Sequence, residues 1–111
     1  MTAAQERNAR VLGKAVHPAA LARLHELWPN AVVRVKRDVN EHGNRRTTVF
    51  ITPEDGRYTE RGVVSCDSGD TYNRAYGIRE AFRRALVVAR ERWMNRESGL
   101  EPGTEPQGNL P

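Results

Sequence analysis

The sequence predicts an α+β fold: a two-layer sandwich of order α-β-β-β-α, in which a three-stranded antiparallel sheet carries helices on one face and leaves the other open. Three observations predict it. A short apolar stripe of helical period follows His17-Pro18, period-two segments separated by turn residues fill the middle, and a long amphipathic segment closes the domain.

The first helix opens at Pro18, where a missing N–H is not needed, and it ends before Pro29. Leu21, Leu24, Leu27 and Trp28 share one stripe with Ala20, while Arg23 and Glu26 point elsewhere. From Ala31 to Val39 the pattern alternates, with Val33, Val35 and Val39 on one face and Arg34, Lys36 and Asp38 on the other. The turn-rich Asn40 to Asn44 then leads into Arg45 to Thr52, rich in β-branched and aromatic residues, so the two segments should pair as a hairpin. Pro53-Glu54-Asp55-Gly56 supplies a second reversal. A third strand is expected at Gly62 to Asp67, with Arg57 to Arg61 as a ragged extension.

The second helix is predicted from about Thr71 to Asn95, after the bend Ser68-Gly69 and with Asp70 as its cap. At 100° per residue, Ala75, Ile78, Phe82, Ala85, Leu86, Ala89 and Trp93 fall within about 100° of arc, the width of a stripe that lies on a sheet. Gly77 interrupts this helix at a cost of about 1 kcal/mol relative to Ala. Lying off the main stripe, it points to a close contact outside the core.

The organisation is therefore a flexible or short helical N-terminus (1–16), a single domain (17–96) and a tail (97–111). In the first part Ala3, Ala4, Ala9, Val11 and Leu12 permit a helix that Gly13 would stop. The tail holds three Pro and three Gly and is expected to be disordered.

With 111 residues and one cysteine, Cys66, the chain is too short for a multidomain enzyme and has neither an internal disulfide nor a zinc knuckle to staple it. It has no apolar run long enough for a membrane span and no signal-peptide core, which predicts a soluble, cytoplasmic protein. The formal charge of +4 conceals an asymmetry. All 18 basic residues lie within positions 1–96 with 11 of the 14 acids, so that stretch carries +7, and 16 of the 18 are Arg. Arginine favours forked contacts to phosphate or carboxylate.

Catalytic chemistry has no clear constellation. His17, His25 and His42 have neither metal-ligand nor triad spacing and are expected at the surface, Cys66 reads as a small buried hydrophobe, and Asp67 with Asp70 is too few carboxylates for a hard cation. No phosphate loop or dinucleotide fingerprint occurs, so no enzyme activity, cofactor or metal is expected.

Two surfaces could bind instead. On the outer flank of the long helix Tyr72, Tyr76, Arg79, Arg83 and Arg90 interleave aromatic and guanidinium groups, continued by Val87 and Met94, while Glu80 and Arg84 are spaced as an i,i+4 pair on the opposite side. On the open sheet face Arg34 and Lys36 lie beside Asp38, with Thr48, Phe50 and Thr52 from the second strand.

Two resemblances add to this. Asp70, Tyr72, Asn73, Arg74, Gly77, Ala81 and Arg84-Ala85-Leu86, preceded by the strand Gly62 to Cys66, resemble a strand-helix signature of small proteins encoded by tailed phages and prophages, which implies a mobile-element origin. The α-β-β-β-α order is similar to the double-stranded-RNA-binding domain, with His42-Gly43 in the first hairpin turn. Where that family opens its second helix with lysines, this chain has Ser68, Gly69, Asp70 and Thr71. The expectation is a non-enzymatic, phage-type accessory protein that binds nucleic acid or, alternatively, an acidic host protein that it inhibits or modulates. An exposed sheet face or edge could also form a homodimer.

Overall fold

The computed structural model describes residues 2–53, 59–66 and 73–97, with side chains as far as 92 in the last stretch. Outside the described residues lie Glu54-Asp55-Gly56 of the second turn, Arg57, Asp67, Ser68-Gly69, Asp70, Thr71, Tyr72, the side chains of Trp93 and Met94, and the segment 98–111. The elements run α1 (Ala3–Leu12), a 3-10 turn (Gly13–Ala15), α2 (Pro18–Leu27), β1 (Val32–Val39), β2 (Arg45–Thr52), β3 (Glu60–Cys66) and α3 (Arg74–Glu97). This is the α+β order that the periodicities predict, preceded by a further helix.

A helix as short as α1 is marginal in water, so its ends and its docking decide its existence. Thr2 Oγ1 accepts from the Gln5 N–H at 3.1 Å, Gln5 Oε1 accepts from the Thr2 N–H at 3.4 Å, and Gly13 ends the helix at φ +59°. Docking falls to Asn8, which is 0% exposed. Its Nδ2 donates to the Ala31 carbonyl at 2.9 Å and its Oδ1 accepts from the Val33 N–H at 3.0 Å. These bonds place α1 along the outer edge of β1, where it satisfies backbone groups that an edge strand leaves unpaired.

α2 starts at Pro18, with His17 Nδ1 accepting from the Ala19 N–H at 3.0 Å, and closes at Trp28 before Pro29. Leu21, Leu24 and Trp28 are buried in one core with Val33, Val49, Ile51, Ile78 and Phe82. In the β1–β2 turn Asn40 Oδ1 accepts from the N–H groups of His42 and Asn44, both at 2.9 Å, and Gly43 takes φ +82°.

The sheet order is β1-β2-β3, antiparallel throughout. Its register aligns Val33, Ile51 and Glu60, and also Val35, Val49 and Gly62, on the face that α3 covers. Gly62 permits that packing: a Cβ there would stand 2.1 Å from the Ala81 carbonyl oxygen and 2.6 Å from the Ala85 nitrogen. The backbone of α3 thus rests directly on β3. At the far end of the contact Arg92 Nε meets the nearly buried Glu60 carboxylate at 2.5 Å.

Three expectations for the long helix are corrected. It begins at Arg74, and its capping side chain is Asn73, whose Oδ1 accepts from the Tyr76 N–H at 2.9 Å. Its buried side carries small residues where it meets the sheet, Ala81 and Ala85 lying on β3 at Gly62 and Gly77 on Thr47 of β2; Ala75, expected in the core, is exposed, and Ala81 is buried in its place. Gly77 is buried rather than turned outward, and a Cβ there would lie 2.9 Å from Thr47 Oγ1, so its close contact is inside the fold. Cys66 is half-buried at the end of β3.

Candidate nucleic-acid interface

Strand alternation sends Val32, Arg34, Lys36 and Asp38 to the face opposite α3. The register sets them in rows with their neighbours: Arg34, Phe50 and Arg61; Lys36, Thr48 and Val63; Asp38, Arg46 and Ser65. The Arg34 guanidinium carbon lies 5.1 Å from the centroid of the half-buried Phe50 ring. A planar cation over an aromatic face extends the flat surface on which a base can stack.

Among the described residues of these rows the one acid is Asp38. Both its oxygens are engaged by Arg46, at 2.8 Å from Nε and 2.7 Å from Nη2, and Lys36 Nζ is 3.9 Å away. The hydrogen bonds from Arg46 hold the Asp38 carboxyl below its usual range. Its charge is thereby directed to Arg46, and Arg34 and Arg61 have no acid in their row.

α1 adds a wall to this surface. Arg7 and Val11 face Val32, Arg34, Lys36 and Phe50 across a cleft of about 680 Å³, which Val33 and Val35 complete. Three cations, one aromatic ring and a valine floor line it, and no acid does. Sequence reasoning located Arg34, Lys36 and Phe50 but missed Arg7, Val11 and Arg61. The signal for Arg61 was Gly62, since a glycine facing a covering helix sends its neighbour to the open face. Thr2 and Gln5, at capping-box spacing, were the signal for α1.

The outer flank of α3 is a different surface, directed away from the sheet. Tyr76 is 49% exposed, and the Arg79 guanidinium carbon lies 5.6 Å from its ring centroid. Arg83 is ion-paired with Glu80, its Nε donating at 3.1 Å. Arg84 also approaches Glu80, at 3.5 Å, and its Nη1 donates to the Val63 carbonyl at 2.7 Å, covering part of the β3 edge. These arginines, the Arg83 hydrogen bond first, keep the Glu80 carboxyl below its usual range. Arg90 is exposed, and Tyr72 lies outside the described residues. The sequence-predicted binding residues thus separate: Arg34 and Lys36 lie on one side of the molecule, Tyr76, Arg79, Arg83 and Arg90 on the other.

His17 caps α2, His42 lies 3.6 Å from Glu41 in the hairpin turn, and His25 is half-buried against Asn8 rather than at the surface as expected. Among the described residues no group of three His, Cys, Asp or Glu could hold a metal ion, and no helix is long and apolar enough to cross a membrane. Comparison with family models, curated proteins and solved structures finds no match.

Proposed function

We propose that the chain is a small non-enzymatic binding protein, of the accessory kind that tailed phages encode, and that its partner is nucleic acid held on the open sheet face in the cytoplasm of a host cell. The supporting observation is the acid-free cleft of Arg7, Arg34, Lys36 and Phe50, continued across the sheet by Arg61. Forked cations suit phosphate oxygens, and the ring with its stacked guanidinium suits an unpaired base.

Labelled single-stranded and duplex DNA and RNA, titrated at rising salt, test this reading. Neutralising about four phosphates would give a log–log salt slope near −3 for a single strand, from roughly −0.7 per phosphate. Absence of affinity for all four ligands at low salt overturns it.

A second reading has its own support. Tyr76 and Val87, 49% and 43% exposed, lie on one stripe of α3 with Arg79 and Arg90, a mixed apolar and basic surface suited to an acidic host protein.

A further inference from the structure

The amide of Asn8 is held in one orientation. Its oxygen takes the Val33 N–H and its nitrogen gives one hydrogen to the Ala31 carbonyl, so turning the group over would set donor against donor and acceptor against acceptor. The nitrogen's second hydrogen points to Nε2 of His25, 3.1 Å away. An imidazole can accept there only as the neutral ring with its proton on Nδ1. A proton on Nε2 would place N–H against N–H in a site where Asn8 has no freedom to yield.

We propose that Asn8 and His25 form a pH-sensitive latch holding α1 to the sheet edge, and that protonation of His25 loosens α1 and dismantles the Arg7 wall of the cleft. The second half rests on the nucleic-acid reading above. The coupling is local: Arg7 precedes Asn8 in the chain, and Val11 lies one turn further along the same helix. Gln5, which donates to the Pro29 carbonyl at 3.0 Å, is a further polar tie between α1 and the segment after α2.

The groups around the ring do not offset a positive charge. In the cleft beside the ring α1 contributes Gln5, Ala9 and Leu12, none titratable, and Asn8, which bonds the ring, is not titratable either. Glu26 shares the cleft as the next residue on α2, and among the described residues no ion pair joins it to His25. Burial pushes the imidazole below its ordinary value of 6.5. A depressed histidine contributes its stabilisation fully above that value and loses it as pH falls below 6.5 towards the lower folded pKa. The latch is therefore closed at neutral pH and opens on acidification.

The test uses the full chain with His17→Asn and His42→Gln, which removes the other imidazoles and leaves α2 a good cap. In this background NMR between about pH 7.5 and about pH 5 should show the Val33 amide and the α1 amides moving with the His25 ring. Adding His25→Gln, which can accept from Asn8 but not titrate, should abolish the response. A His25 ring that titrates while Val33 and α1 stay unchanged overturns the latch, and so does an equal response in the His25→Gln chain.

Affinity for a labelled oligonucleotide should fall about fivefold more on acidification in the background than with His25→Gln, through loss of the Arg7 contact. Equal changes in the two proteins, with the NMR response present, overturn the coupling and leave the latch. No binding at either pH overturns the nucleic-acid reading, and the NMR result then decides the latch alone.

Discussion

The open sheet face and the outer flank of α3 each carry an aromatic ring with an arginine stacked on it, Arg34 on Phe50 and Arg79 on Tyr76. They differ in where their acids lie. On α3, Glu80 pairs with Arg83 at i+3 and with Arg84 at i+4, so local helix geometry engages Arg83, a cation of the outer flank, before any ligand arrives. On the sheet, Asp38 is opposite Arg46 at the hairpin end, and its pairing leaves the row of Arg34 and Arg61 untouched. Similar composition thus produces one surface with its charge partly spent within the helix and one with its charge directed outward. Counting arginines would not separate them, whereas the placement of one carboxylate does.

The largest expected effect removes the foundation that the two surfaces share. Gly62→Ala would drive a methyl group into the backbone of α3 at Ala81 and Ala85, contacts that no side-chain rotation relieves. Overpacking of this kind costs roughly 3 kcal/mol, at the upper end of its usual range. A urea melt should show the midpoint falling accordingly. An unchanged midpoint would mean that α3 is not seated on β3 as described, and the assignment of inner and outer faces would fall with it.

Charge reversal on each side distinguishes the two surfaces. Arg34→Glu should weaken oligonucleotide binding by about tenfold or more, since it replaces an attraction with a repulsion beside Phe50. Arg79→Glu should leave it within about twofold, because that group points away from the cleft. The reverse ranking would move the nucleic-acid site to α3. Host-protein capture lost with Arg79→Glu or Tyr76→Ala, but retained with Arg34→Glu, would favour the second reading.

Much of the architecture was legible because it is written in local periods. Pro18, the turn residues Asn40 to Asn44 and the valines of β1 each act within a few positions of themselves, and the elements formed where they indicate. The features that build the cleft act over longer range. Asn8 reads as an ordinary polar residue until β1, some 25 positions on, presents the Val33 N–H to it, so nothing in α1 foretold its docking or the wall that Arg7 makes. Capping was ambiguous for a related reason: Asp70 and Asn73 are both good caps, and only the observed start at Arg74 selects Asn73. Arg34 and Lys36 were found because alternation puts them on the wet face, but which residues flank them depends on register, which the turn and the core set together.

The smallest expected effect concerns Gly77, at the seam between the two regions. Alanine there gains about 1 kcal/mol in helix propensity, yet its methyl group would press on Thr47 Oγ1 at 2.9 Å. The two effects oppose, so Gly77→Ala in the native background should change stability by less than about 0.5 kcal/mol. In a Thr47→Ala background the obstruction is gone and the same substitution should stabilise by about 1 kcal/mol, a coupling that a double-mutant cycle reads directly. A glycine kept for a partner on the outer flank would behave otherwise. Gly77→Ala would then stabilise the free protein in both backgrounds and weaken capture of that partner, which would return the close contact to the surface where the helical wheel alone places it.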